Sequence, residues 1–427
     1  MRNVDPPPPP DQIDRRHFLV SEVVERLPAE RPTHDTVATI ADWLAGPVLA
    51  NESGARAIDE FAWRLSAAGF PLLRMSLHSG TLHPQFLGAT FVWWRDVGQT
   101  SQTLIAHEIQ DTVRYENNPV RRVIEGGETI RRRLDVPAAE FDFSILHDLK
   151  ARGGTDYFSL RIASAHGRGY AVSYTTARSG GFSVREIDEL TRLSHRLQGV
   201  CDTYSQRALT RNLLNAYLGS KAGPKVLAGQ IRRGTGEALH VVLWSSDLRG
   251  FTERSDRLPG NRMIAILNAL FDAQAKAIHN RGGEILKFIG DGLLAIFPIE
   301  GAGHAGDAAE NALEAAREAL AAVHVLADDP SMAGEPPLQI VVALHAGTVI
   351  YGNVGATDRL DFTVIGPAVN LVSRVEAVAK ALNQTIVVSD DFARAYARPL
   401  RSLGHHQLRG LATPRELFAP QTDGAPQ

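Results

Sequence analysis

Two aspartates, Asp247 and Asp291, stand where apolar runs end, and Asn370 and Arg374 lie four residues apart. Paired carboxylates with spare coordination positions suit Mg²⁺, which takes one or two carboxylates together with substrate phosphates. An amide and a guanidinium at i and i+4 share one helix face, where they can hold a sugar oxygen and a phosphate. The run Leu248-Arg249-Gly250-Phe251-Thr252 follows the first aspartate and leads toward a helix. Backbone N–H groups at such a turn can hold phosphate oxygens. Together these features point to two-metal chemistry on a nucleoside triphosphate. Each also has a plainer reading: two solvated loop aspartates, an asparagine capping locally, and a solvated surface arginine. Spacing alone leaves both open.

The elements that must position these residues follow from periodicity. Leu239–Ser246 reads as an apolar strand ending at Asp247. Asn261–His279 reads as a helix, with Ile264, Leu267, Phe271 and Ile278 on one face. Glu284–Ile289 and Leu293–Phe297 form a hairpin around Gly290-Asp291-Gly292. A second helix, Gly306–Ala327, and a strand, Leu338–His345, complete a β-α-β-β-α-β order, the split βαβ of ferredoxin-like sheets. In that topology the first strand lies beside the hairpin, so Asp247 and Asp291 can share one sheet edge. A strand at Asp361–Ile365, a helix opening with Pro367 and a strand at Thr385–Val388 follow.

Three runs occur in order: Ser246-Asp247-Leu248-Arg249-Gly250-Phe251-Thr252; Leu286-Lys287-Phe288-Ile289-Gly290-Asp291-Gly292; and Val364-Ile365-Gly366 with Val369-Asn370 and Ser373-Arg374. They resemble the catalytic domain of class III nucleotidyl cyclases, over roughly Leu239 to Pro420, under half the chain. The resemblance implies that Asp247, Asp291 and the Leu248 carbonyl hold two Mg²⁺ or Mn²⁺ ions. It makes Lys287 the base-reading lysine and Thr363 its partner, Asn370 the ribose-orienting group, and Arg374 the stabiliser of charge on the transferring phosphate. Arg409 falls where the family often has a phosphate-binding lysine; that match is looser, though an arginine keeps the charge. The family builds its site between two catalytic domains, so one chain holding both residue sets implies a homodimer. Phe251 and Thr252, after the first aspartate, are expected on the substrate side.

Base choice is a hydrogen-bonding question. Lys287 only donates, adenine N1 accepts, and Thr363 can accept from the adenine amino group. Guanine N1–H would face the lysine donor to donor, and an unpaired buried donor costs about 1–3 kcal/mol. The expected substrate is therefore ATP and the expected product 3′,5′-cyclic AMP. The competing readings are a guanylate cyclase, a diguanylate cyclase, and a catalytically dead nucleotide-binding module. Gly282-Gly283-Glu284 superficially resembles the diguanylate signature, but that triplet precedes the strand rather than forming the hairpin tip. Loss of an aspartate, Asn370 or Arg374 would favour the dead module, and all four are present.

Ahead of this domain, Val37, Ile40 and Leu44 suggest a short helix, and Ser53 caps a second with Ile58, Phe61 and Leu65 on one face. Strands are expected at Phe70–Leu77, Phe86–Trp94, Tyr157–Ala163 and Tyr170–Thr176, the last two split by Gly167 and Gly169. Ser183 and Glu186 form a capping box for a helix carrying Leu190, Leu193, Leu197, Val200 and Tyr204, either a helix on its own sheet or a dimer seam. This α+β order resembles a GAF or PAS-type sensor, whose ligand or signal the sequence does not name. His78, His83 and His107 lack metal-ligand spacing, and His345 reads as structural. The expected division is a Pro-rich disordered tail at 1–19, a sensor at 20–206, a basic linker at 207–236, the cyclase domain at 237–420 and a tail at 421–427.

Composition sets the outer limits. Lys+Arg is 45 against Asp+Glu 48, which gives no electrostatic case for a nucleic-acid binder or a polybasic membrane module. The single cysteine, Cys201, rules out an internal disulfide framework and suits a reducing compartment. No apolar run approaches the roughly 18 residues of a membrane span, and the N-terminus lacks a signal-peptide core, so a cytoplasmic protein is expected.

Overall fold

The computed structural model describes residues 17–421 apart from 82, 84, 137–140, 166–168, 300, 302–303 and 330–331. The expectations for the proline run and for Gly167 lie outside the described residues. The chain divides into two compact units between Leu213 and Leu214. No helix among the described residues is long and apolar enough to cross a membrane.

The N-terminal unit runs β1 (Phe18–Glu25), α1 (Val37–Leu44), α2 (Gly54–Ala67), β2 (Leu72–Gly80), β3 (Phe86–Trp94) and β4 (Gln99–Ala106). It continues with α3 (Val113–Glu116), α4 (Pro119–Gly126), β5 (Ile130–Arg133), α5 (Ser144–Ala151), β6 (Asp156–Ile162), β7 (Tyr170–Thr176) and α6 (Val184–Leu218). Its antiparallel sheet has the order β1-β4-β3-β2-β7-β6-β5. Ser53 caps α2 by accepting from the Arg56 N–H, and Ser183 and Glu186 close the expected capping box on α6. One face of the sheet meets α1, α2 and α6 in an apolar core that includes Ile40, Phe61, Met75, Trp93, Leu190, Leu193, Leu197 and Val200. The leucine repeat of α6 is therefore buried in its own unit, and the seam reading is not needed to explain it. Cys201 lies in the same core, where burial pushes its thiol up to about 12.

Two expectations change here. Residues from Phe18 onward belong to β1, pairing with β4, rather than to a tail. The basic segment from Arg207 is helical to Leu218, because α6 continues for 35 residues; its glycines interrupt only from Gly219.

The C-terminal unit comprises α7 (Ala222–Leu227), β8 (Gly236–Leu248), α8 (Phe251–Arg257), α9 (Gly260–Asn280), β9 (Glu284–Ile289), β10 (Gly292–Pro298), α10 (Ala305–Val325) and β11 (Ile340–Gly355). Then come β12 (Leu360–Ile365), α11 (Pro367–Ala381), β13 (Ile386–Ser389), α12 (Asp390–Ala395), β14 (Leu400–His406) and β15 (Arg415–Pro420). The sheet order β14-β15-β13-β11-β8-β10-β9, with β12 on β11, contains the ferredoxin-like arrangement at β11-β8-β10-β9. The apolar faces of α9 and α10 pack on one side of it around Trp244, Ile266, Leu270, Leu313 and Phe297. On the other side α11 brings Val372 and Val375 into a core with Val241 and Leu243 of β8. β11 outruns the expected Leu338–His345 strand because it pairs first with β8 and then with β12. Gly352 makes that possible: a Cβ there would collide with the Thr235 carbonyl, just before β8.

Candidate functional site

The two aspartates meet through sheet register. Leu293 of β10 faces Ser246 of β8 in an antiparallel pair, so Gly292 falls opposite Asp247 and Asp291 opposite Leu248. The hairpin tip needs Gly290 at φ 62°, a left-handed turn open to glycine at low cost. Gly292 has a different reason to be glycine. A Cβ there would overlap the Ser246 carbonyl and sit 3.3 Å from Asp247 Oδ1. Asp291 accepts a backbone hydrogen bond from Leu248, yet burial and then the Asp247 charge hold its carboxyl above the ordinary 3.8, with Lys380 partly offsetting them. Lys380 of α11 ion-pairs with Asp247 and, at 3.1 Å, with Glu376.

A second group lies on β9 and β12. Lys287 Nζ donates to Asp361 Oδ2 at 3.1 Å. Asp361 and Thr363 alternate onto one face of β12. Thr363 Oγ1 is buried and has no hydrogen-bond partner among the described residues. Leaving a buried hydroxyl unpaired costs about 1–3 kcal/mol, so this atom is a polar group suited to a ligand.

A third group lies on α11. Asn370 is exposed, Arg374 is half-buried, and neither forms a hydrogen bond or ion pair among the described residues. Arg374 lies beside the loop after β14: a Cβ on Gly410 would stand 3.5 Å from its Nη2. Arg409 is exposed on the same loop. Phe251, at the start of α8, is partly buried against the apolar core, and Thr252 is exposed beside it.

The groups are separate within one protomer. Lys380, which meets Asp247, is about 120° around the helix from Arg374 and about 80° from Asn370, and lies about 9 Å further along the axis than Arg374 and about 15 Å beyond Asn370. The end of α11 that meets Asp247 is therefore not the end that carries Asn370 and Arg374. Sequence reasoning missed Lys380, Glu376 and Asp361. The alternation Asp361/Thr363 was a usable signal for the last. The first two depended on which side of α11 faces β8. His345 is buried, shares a hydrogen bond of 2.8 Å with Ser389, and is pushed down to about 4 mainly by burial, which fits a neutral structural histidine.

The carboxylate pair fits a divalent cation. Two acidic groups crowd one edge, their mutual repulsion is only partly offset, and a glycine keeps the space beside them clear. Among the described residues no three His, Cys, Asp or Glu side chains converge as a metal cage. The side-chain donors are thus two carboxylates, which leaves positions for oxygens of a substrate.

Residues 237–410 match the family model described as the adenylate and guanylate cyclase catalytic domain. A protein named adenylate cyclase from Anabaena cylindrica is 32% identical over 173 residues, 40% of this chain and 33% of that one. An uncharacterized Mycobacterium tuberculosis protein is 30% identical over 246 residues, 56% of this chain and 42% of that one. The chain thus spans less than half the length of these curated relatives. Among solved structures, the adenylyl cyclase CyaB from P. aeruginosa is 27% identical with a TM-score of 0.39, covering 43% of this chain and 94% of that one. The guanylyl cyclase Cya2 is 28% identical with a TM-score of 0.38, covering 43% and 92%.

Proposed function

We propose that this chain, whose residues 237–410 match the catalytic domain of the class III adenylate and guanylate cyclase family, converts ATP to 3′,5′-cyclic AMP and pyrophosphate as a homodimer. The observation that carries the reading is the Asp247–Asp291 pair, brought together on adjacent strands and short of positive charge. Asp247, Asp291 and the Leu248 carbonyl would hold Mg²⁺ or Mn²⁺, which when bound neutralises phosphate charge and makes the ribose 3′-hydroxyl more acidic. Lys287, steadied by Asp361, donates to adenine N1, and the unpaired Thr363 hydroxyl accepts from the amino group. Asn370 orients the ribose. Arg374, free of any carboxylate among the described residues, meets charge growing on the α-phosphate, with Arg409 available to the outer phosphates. The 3′-oxygen attacks the α-phosphorus in line, its proton leaves to solvent, and the bond to pyrophosphate breaks. Positioning and electrostatics supply the acceleration without a covalent enzyme intermediate.

Two features support the dimer. Asn370 and Arg374 lie about 9 Å or more along α11 from Lys380, the residue that meets the carboxylate pair, which supports a second copy supplying one set. Apolar side chains also lie open near the Lys287 group: Phe288 is 53% and Ile289 58% exposed, with Ile350 and Ile365 paired across β11 and β12. The residues read as a sensor are proposed to regulate this output.

The deciding experiment incubates the purified chain with ATP or GTP and Mg²⁺ or Mn²⁺ and separates the products. Cyclic AMP formed in preference to cyclic GMP is expected. Absence of any cyclic nucleotide with both ions refutes the reading.

A further inference from the structure

Opposite α2 and α6, the N-terminal sheet is covered by α4 and α5, whose Val123, Leu146 and Leu149 pack with Tyr157 and Ala171, but the strands between carry a polar centre. Cross-strand register sets Trp94, Arg74, Thr175 and Tyr157 in one row over β3, β2, β7 and β6. The next row holds Val92, Ser76, Ser173 and Ser159, and the third holds Thr90, His78, Ala171 and the exposed Arg161. Arg74, Ser76, Ser159, Ser173, Thr175 and Tyr157 are all buried. A buried sheet face normally carries apolar side chains, and buried charge is normally paired.

Arg74 is not paired. It is 7% exposed, and its guanidinium donates to Ser76 Oγ at 3.2 Å and Ser173 Oγ at 3.5 Å, two neutral hydroxyls. Its other neighbour is the Trp94 ring, 5.4 Å from its Cζ. No aspartate or glutamate pairs with it among the described residues. The second guanidinium on that ring, Arg152 at 3.7 Å, is paired with Asp96. Tyr157, beside Arg74, is kept neutral because burial raises its phenol. His78 bonds to Ser76 and Thr90, and burial followed by the Arg74 charge pushes it down to about 3, so it adds no charge. Burial draws Arg74 itself down only to about 10, leaving it a cation at neutral pH. The patch thus carries one uncompensated buried positive charge. Opposite Arg74, Thr175 Oγ1 is buried with no partner among the described residues, a second polar atom left open in the same row.

An unpaired buried cation ringed by hydroxyls is the complement of a small anion. A guanidinium fork matches a carboxylate or phosphate in two parallel hydrogen bonds, and serine hydroxyls can turn to donate to the remaining lone pairs. We propose that this polar face is a binding site for a small oxyanion, a carboxylate or phosphate, seated on Arg74 with Ser76, Ser173 and Thr175 around it. The ligand supplies the counter-charge that the chain lacks there. The site lies in the N-terminal unit and its existence does not depend on the cyclase reading.

The test is thermal unfolding of the full chain with acetate, pyruvate or inorganic phosphate, each against sodium chloride at equal ionic strength. A specific rise in the N-terminal transition of at least about 3 °C at saturation is expected with at least one probe. Which probe acts separates a carboxylate from a phosphate. Arg74→Met should abolish the rise. If that variant does not fold, Ser76→Ala with Ser173→Ala keeps the charge and should weaken binding at least about tenfold by titration. A rise no larger than that given by chloride with all three probes overturns the proposal, as does a rise that survives Arg74→Met or is unweakened in the double variant. Cyclic nucleotide formation is not read, so the proposal and the catalytic reading fail separately.

Discussion

Replacing Asp291 by Asn should kill activity and stabilise the metal-free fold. The Asp291 carboxyl binds its proton more tightly in the fold than at its ordinary value of 3.8, because of burial and the Asp247 charge. Ionising it therefore costs stability as pH rises through the raised value, and the cost is absent below 3.8, where the folded and unfolded carboxyls are both protonated. For unit charges about 4 Å apart the repulsion is about 1 kcal/mol in water and about 4 kcal/mol at an effective dielectric of 20. The pair is partly solvated and Lys380 sits on Asp247, so the low end applies, about 1 kcal/mol. Asparagine removes the charge while keeping an oxygen to accept from Leu248. In EDTA at pH 7 the C-terminal transition should then rise by about 2–4 °C, the shift about 1 kcal/mol gives in a unit of this size. The gain should vanish near pH 3.5. Added Mg²⁺ should raise the wild-type transition but not that of the variant, whose cyclase rate should fall at least about 100-fold. Calorimetry at the two pH values decides the matter. A variant less stable than wild type at pH 7 in EDTA, or equally stabilised at both pH values, would refute the charge-crowding argument.

Asp247→Ala and Arg374→Ala should each be nearly inactive, while co-expression should recover roughly a quarter of wild-type activity, since about half the dimers are mixed and each has one intact site of two; dead mixed dimers would place the whole site in one protomer. Lys287→Glu with Thr363→Cys should lower the ATP-to-GTP ratio in kcat/KM, and an unchanged ratio would remove Lys287 as base reader. Asp361→Asn, which frees Lys287, should raise KM for ATP a few-fold with a smaller effect on kcat. Gly292→Ala should disturb the β8–β10 pairing and lower both the melting temperature and the affinity for Mn²⁺, read by calorimetry and titration.

The C-terminal unit was readable because its sequence is punctuated by local signals. Gly290-Asp291-Gly292 announces a hairpin, Pro367 a helix start, and the element order brings Asp247 alongside the hairpin without any long-range guess. Ser53 and Ser183 worked likewise as caps, since a cap depends on neighbours within three residues. What escaped were relations between elements. Lys380 is an ordinary helix lysine until β8 lies beneath it. β1 and β4 were missed: β1 pairs with a strand about 80 residues away, and their alternating, partly exposed patterns carry little apolar signal. The buried Arg74 face was invisible because arginine and serine in a strand read as its solvent side.

The open apolar rim at Phe288 and Ile289 has a quantitative side. Under the proposed pairing, a chain competent only with its double does not deliver output in proportion to its amount. Below the dissociation constant of the pair, halving the number of chains leaves about a quarter of the pairs. On that reading, single copies would be silent and a modest rise in copy number would be amplified.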